Sequence, residues 1–314
     1  MKSMIKGLVV ALMLATGVIA NASDDIQIYT ADNSKGMITG ASIEKVFEDA
    51  GFEITAHNDM NVAFKGKFKK THHKMYRLFG SYKMDLVLEL IKVSPRAAVL
   101  TPLSMSIYMK NGSNDISVSS LTLQTMAKIT GIPATNKHLV AYAKLIKSTV
   151  EKALPNGSYE KIKYTPTKPA GKLITAFSFE LEEMGSADSI SDEIEGYQEE
   201  LEGSLSTAGF VMPYINTIGD ELIELGYDKY DSFTVYSICK LSVIFQVSKD
   251  TPEAGAFAPC TLTMYKEKGS SEVHMEYPSV HNWFSSLGLK EKASLDVLNG
   301  AEETMINVVK ETIE

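Results

Sequence analysis

Cys239 and Cys260 are the two cysteines of this 314-residue chain, and both fall in its second half. Three chemistries are open to them. In an oxidising compartment the pair closes a structural disulfide, which for a loop of this size stabilises by roughly 3 kcal/mol in the chain-entropy description. The alternation around Cys260 sets it beside Leu262 and Met264 on an apolar face, which suits buried, unreactive thiols. A redox dithiol is the third reading. It needs an exposed thiolate with a lowered pKa, and Lys240 is the nearest cation along the chain. The disulfide ranks first, inert thiols second and redox chemistry third.

The six histidines lack ligand spacing. His72 and His73 are adjacent on an expected strand, so they point to opposite faces. His274 and His281, with Glu276 and Tyr277 between them, read as solvated side chains rather than as a metal site. No cofactor or metal is therefore expected. The chain holds no Gly-x-Ser-x-Gly elbow, no His-Glu-x-x-His helix and no phosphate-cradling glycine loop. Glu195 and Glu199, one helical turn apart, fit a solvated helix face, and their surroundings lack the spacing of an EF-hand. Met105, Met109, Met264 and Met275 either fill a core or line a pliable apolar groove for a small hydrophobic ligand.

The elements that hold these residues are announced by repetition. Residues 102–132 and 259–289 share one pattern at a constant offset: Pro102, Tyr108, Gly112-Ser113 and Gly131 answer to Pro259, Tyr265, Gly269-Ser270 and Gly288. Upstream, Ala50-Gly51-Phe52 and Ala208-Gly209-Phe210 fall one residue from the same offset. The chain divides into residues 1–22, a first repeat module at 23–154, a linker at 155–171 marked by Pro155, Pro166 and Pro169, and a second module at 172–314.

Residues 1–22 place Lys2 and Lys6 before an apolar run and end on Ala20-Asn21-Ala22, the pattern of a secretory signal peptide cleaved before Ser23. No later stretch approaches the roughly 20 apolar residues of a transmembrane helix, so the expected location is periplasmic or secreted. The formal net charge of −8 becomes more negative when Lys2 and Lys6 leave, which disfavours nucleic acid as a partner. Charge is unevenly spread. Lys65, Lys67, Lys69, Lys70, Lys74 and Arg77 crowd the first module, and an acidic run at 180–202 crowds the second. Both read as solvated faces; the sharper reading is that the basic stretch takes an anionic ligand or meets an acidic one, its own or a protein partner's.

Each module begins with a short strand, at 26–30 and 172–182. A helix follows, with stripes Ile43, Val46, Phe47, Ala50 and Ile194, Tyr197, Leu201, Leu205, Ala208. Gly51 and Gly209 end these helices, and Phe52 and Phe210 start a second strand. After a less regular segment come strands at 74–79 and 232–239, helices at 84–93 and 241–247, and a hairpin. Pairing Met264 with Met275 puts Leu262 and Val273 on their face and leaves Gly269-Ser270 as a two-residue type II′ loop. Met105, Ile107, Ile116 and Val118 repeat this around Gly112-Ser113. A short helix and a longer closing helix complete each module, giving an α+β fold of two tandem two-layer modules, each an antiparallel sheet with helices on one face.

The order Ala-Gly-Phe, a strand ending in a short Cys or Gly turn, a helix, then Pro-Cys-x-x-x-x-Tyr and a glycine hairpin resembles the bacterial domain of unknown function 302 in two tandem copies. Cys239 and Pro259-Cys260 sit where that family has paired cysteines, although Cys239-Lys240-Leu241 replaces the usual Cys-Asn-Pro. The first copy reads Phe79-Gly80-Ser81 and Pro102-Leu103, without cysteine. The resemblance implies a fold similar to the TATA-binding-protein topology without implying DNA binding, and it brings no established activity. The expected function is a non-catalytic binding or interaction module, its two repeats forming one pseudo-symmetric unit with any ligand site between them. The alternative is a periplasmic thiol redox protein using Cys239 and Cys260.

Overall fold

A computed structural model describes residues 25–162, 164–182 and 185–313. The signal peptide expected at 1–22 and Glu183 of the acidic run lie outside the described residues. The first module runs β1 (Ile26–Asp32), α1 (Gly40–Asp49), β2 (Glu53–Asp59), α2 (Met60–Phe68), β3 (Met75–Tyr82), α3 (Met84–Ile91), a 3-10 turn (Pro95–Leu100), β4 (Leu103–Met109), β5 (Asp115–Leu121), α4 (Leu123–Thr130) and α5 (Lys137–Ala153). In the connection, β6 (Ser158–Tyr159) pairs back with β1. The second module repeats the order: β7 (Ile174–Glu180), α6 (Ala187–Thr207), β8 (Val211–Thr217), α7 (Ile218–Glu224), β9 (Tyr230–Cys239), α8 (Leu241–Ser248), a 3-10 turn (Pro252–Phe257), β10 (Cys260–Glu267), β11 (Glu272–Pro278), α9 (His281–Leu287) and α10 (Lys292–Ile313). Both sheets are antiparallel. Their strand orders, β2-β3-β4-β5-β1-β6 and β8-β9-β10-β11-β7, coincide apart from β6.

Local signals explain the elements. The Thr39 side chain accepts from the Ser42 N–H and Ser42 answers to the Thr39 N–H, closing a capping box at α1, whose Ile43 and Phe47 are buried. Gly51 and Gly209 take φ of +81° and +82°, the left-handed conformation that ends a helix. The hairpins pair Met264 with Met275 and Ile107 with Val118, in the register that alternation predicts. Their turns close one residue earlier than a II′ loop: Ser270 N–H donates to the Glu267 carbonyl and Ser113 N–H to that of Lys110. Gly269 and Gly112, with φ of +78° and +77°, therefore hold the third turn position, where a positive φ is needed. The less regular segments are the short helices α2 and α7. His72 and His73 lie in a bend before β3 rather than on a strand, because α2 has used the preceding residues.

The modules join through the sheet faces away from their cores. On the first sheet that face carries Ser104, Ser106 and Ser119, all buried, and the 3-10 turn of the second module lies against it. Ser106 Oγ and Tyr76 OH donate to the Pro252 carbonyl at 2.9 and 3.1 Å, and Ser119 Oγ donates to that of Glu253 at 3.0 Å. The exchange is reciprocal. Ser104 Oγ donates to the Pro259 carbonyl at 2.7 Å, while its counterpart Thr261 donates to that of Pro102 at 3.2 Å. From the first module's 3-10 turn, Arg96 grips Glu276 on β11 with two nitrogens at 2.8 and 2.9 Å. Aromatic packing extends the seam, with the Phe68 and Phe245 rings 4.0 Å apart and the His73 Nε2–H donating to the Ser248 carbonyl at 2.6 Å.

At Gly255 the approach is tightest. An added Cβ would lie 2.5 Å from Ser106 Cβ and 2.8 Å from Leu78 Cδ2. Gly255→Ala is accordingly expected to cost about 1–3 kcal/mol in urea unfolding, whereas Gly196→Ala, where nothing stands within 4 Å, should not destabilise.

A proton is shared where the edge strands meet. The buried Tyr82 hydroxyl lies 2.8 Å from Glu53 Oε2 of its own module and 3.0 Å from Glu221 Oε1 of the other. One phenolic proton serves one carboxylate at a time, and Asn216 Nδ2 also donates to Glu221 Oε1, with the Tyr214 hydroxyl 3.2 Å from that of Tyr82. Burial, and to a smaller degree the neighbouring Glu53, raise Glu221 above the ordinary carboxylate range against the lowering from its Asn216 and Tyr82 hydrogen bonds. A raised folded-state pKa gives stabilisation that is complete below the unfolded value and lost as pH climbs through the folded one. Raising the pH from about 5 to about 8 should therefore lower the Tm of the native chain more than that of Glu221→Gln, whose amide carries no charge at any pH.

Candidate functional site

The two cysteines are free thiols, not the disulfide ranked first from sequence. Register supplies the reason. Cys260 pairs with Ile238, so alternation sends Cys239, the next residue of β9, to the opposite face of the sheet. Cys239 follows Phe233 and Val235 on its side, while Cys260 begins the row of Leu262 and Met264. Burial pushes both thiols up to about 12, and for Cys260 the neighbouring Cys239 and Glu302 add to it. Opposed faces and raised pKa values are the reverse of what a redox dithiol requires. Cys239 is buried and Cys260 partly so.

Both cysteines nevertheless border one cavity, of about 70 Å³, inside the second module. Its walls come from the sheet through Ile238 and Leu262, from α9 through Trp283, and from α10 through Leu298 and Met305. Phe210 stands at its edge with the Lys240 ammonium 4.7 Å over the ring. Trp283, the chain's single tryptophan, packs against Phe257 of the 3-10 turn at 5.9 Å. A second void of about 30 Å³ lies between the modules and shares Cys260, Pro278 and Trp283 with the first. The larger space is thus within a module, and the one between the copies is small.

Tyr277 and Glu302 also line the cavity. Glu302 accepts from Thr175 Oγ1 at 2.6 Å and from the Val280 N–H at 3.1 Å, which fixes its carboxylate at the start of α9. Tyr277 is buried, and its hydroxyl interacts with the Thr175 and Glu302 side chains. Glu302 was not singled out in the sequence, and Tyr277 entered there only between His274 and His281. The signal lay in comparing the copies.

That comparison also explains the empty space. The buried positions of α5, Leu139, Tyr142, Ile146 and Val150, match Leu298, Ala301, Met305 and Val309 of α10 at one offset. Tyr142, fully buried and 6.5 Å from the Phe52 ring, fills in the first module the volume that Ala301 leaves beside Phe210 in the second. Ser120 and Ala143 stand where the second module has Tyr277 and Glu302.

The remaining sequence candidates are dispersed. Arg77 pairs with Asp59 at 3.4 Å, and Lys74 donates to Asn114 at 3.2 Å. His274 rests on the Tyr265 ring, and His281 lies against Gly171. Met105, Met264 and Met275 are core residues. Among the described residues no cluster of three or more His, Cys, Asp or Glu is placed to hold a metal, and no helix is long and apolar enough to cross a membrane.

Comparison with known proteins places the cavity inside a recognised segment. Residues 189–312 match the family "Domain of unknown function DUF302". The match contains Cys239, Cys260, Tyr277, Trp283, Ala301 and Glu302, and the first module lies outside it. A solved structure titled "Crystal structure of uncharacterized conserved protein DUF302 from Bacillus stearothermophilus" is similar at 16% identity and a TM-score of 0.36, covering 46% of this chain and 100% of that one. A search of curated proteins found no match.

The thiol geometry has a direct readout. Unfolding without reductant should expose two alkylatable thiols. In the native protein near pH 8 their thiolate fraction should be about a thousand-fold smaller than for unshifted cysteines, with alkylation slowed accordingly and still accelerating above pH 9.

Proposed function

We propose that this chain is a non-catalytic binding protein whose second module takes a small apolar ligand into the cavity beside Trp283. The observation that carries the reading is the contrast at one position: Tyr142 closes the core of the first module, and Ala301 leaves it open in the second. An apolar cavity with a few fixed polar groups is the usual form of a small-molecule site. Thiols that stay protonated line it without offering a nucleophile.

The same reading takes the first module as a second, closed copy of the matched domain. Its support is the common strand order and the single offset linking Ser104 with Thr261 and Pro102 with Pro259 across the seam. It also takes residues 1–22 as a leader that exports the protein, which rests on the lysine, apolar and small-residue pattern described above.

Trp283 reports on the cavity without any label. Titrating the protein with small apolar probes such as cyclopentane should shift and saturate its fluorescence. Ala301→Tyr, copying the first module, should remove the response while leaving the protein folded by circular dichroism. A response that survives Ala301→Tyr would place the ligand elsewhere.

A further inference from the structure

The sheets end differently in the two modules. In the first, β6 pairs with β1 and covers its outer edge. In the second, β7 holds the place of β1, and among the described residues no strand lies on its outer side. The other sheet ends are blunted: β6 is two residues long, β2 and β8 each carry a register shift, and β8 contains Pro213. β7 has none of these devices. Its pairing with β11 runs unbroken from Ile174 to Glu180, and a straight, unpaired edge invites another strand.

Backbone direction shows what that edge presents. The Leu181 N–H donates to the Ser271 carbonyl and the Ser279 N–H to the Leu173 carbonyl, both at 3.0 Å, so the odd-numbered residues turn their hydrogen-bonding groups toward β11. By alternation Ile174, Ala176, Ser178 and Glu180 turn theirs outward. The side chains of Ala176, Ser178 and Glu180 are exposed.

We infer that β7 is a self-association edge, pairing antiparallel with β7 of a second copy of this chain so that the two five-stranded sheets become one. Charge selects both the occupant and the register. Lys172 and Glu180 are exposed and, by alternation, share one face at opposite ends of the strand. Placing Ala176 opposite Ala176 of the second copy keeps the outward groups face to face and sets Lys172 of each chain against Glu180 of the other, twice in one symmetric contact. The half-buried Phe177 and Phe179 then lie across from Thr175 and Leu173. A parallel, in-register pairing would set like charge beside like charge at both ends. The contact is a single strand pair, so the dimer is weak and forms with concentration.

Sedimentation equilibrium of the native protein from micromolar to millimolar concentration should show reversible dimer formation, and amide exchange at Ala176 and Ser178 should slow over the same range. Ala176→Pro removes an outward N–H without touching the ladder to β11, so it should keep the native circular dichroism and stay monomeric. Lys172→Glu and Glu180→Lys should each weaken the dimer about tenfold. A mixture of those two variants, which restores opposite charges at both ends, should associate about as well as the native protein. A native protein that stays monomeric throughout, leaving the edge to a strand of another protein, a dimer that persists in Ala176→Pro, or a mixture no tighter than either variant alone would overturn the inference.

Discussion

The second module's 3-10 turn offers the Pro252 and Glu253 carbonyls to hydroxyl groups on the first module's sheet, Pro102 and Pro259 just past the two turns accept from Thr261 and Ser104, and the arrangement of the whole chain depends on that exchange. Buried hydroxyls and carbonyls are costly unless paired. Ser106, Ser119 and Tyr76 find acceptors at Pro252 and Glu253 of the other half, beside the Ser106–Ser119 contact within their own sheet, and Ser104 and Thr261 find theirs at Pro259 and Pro102. A single module would present this polar sheet face to water and would keep its helices on the other side. The pair is therefore one unit, and the seam keeps the second module's sheet in the position from which its cavity is built.

Both halves carry the same order of elements, and their interiors differ. The first has a closed core in which Tyr142 occupies the centre of α5, and its Tyr82 reaches out to Glu221 across the edge strands. At the position of Tyr82 the second module has Cys239, and at that of Tyr142 it has Ala301. One half reads as a support and the other as the place where a molecule can be held. The cysteines belong to this difference as small apolar wall residues, held neutral by burial.

Much of the fold was legible because it rests on local periodicity. The Met264–Met275 register, the helix stripes at Ile43 and Phe47 or Leu201 and Leu205, and the glycines that end those helices all follow from spacing within a few residues. The disulfide reading failed for a related reason. It used the pattern of β10 without the register of β9, which pairs Cys260 with Ile238 rather than with Cys239. The serines of β4 and β5 look like a solvent face in sequence, yet they are the seam, because nothing local says that another module's backbone will cover them. Tyr277 and Glu302 were silent for the same reason: a tyrosine and a glutamate separated along the chain gain meaning only when a cavity brings them together. The comparison of Tyr142 with Ala301 was available in the sequence, but only after the helix offset was known.

The central claim is that the second module holds an accessible apolar cavity and the first does not. Crystals of the native protein pressurised with xenon test it directly, since xenon enters dry apolar cavities of sufficient size. The account predicts xenon density beside Trp283 and Ala301 and none beside Tyr142. Density in neither module, or equal density in both, would contradict it.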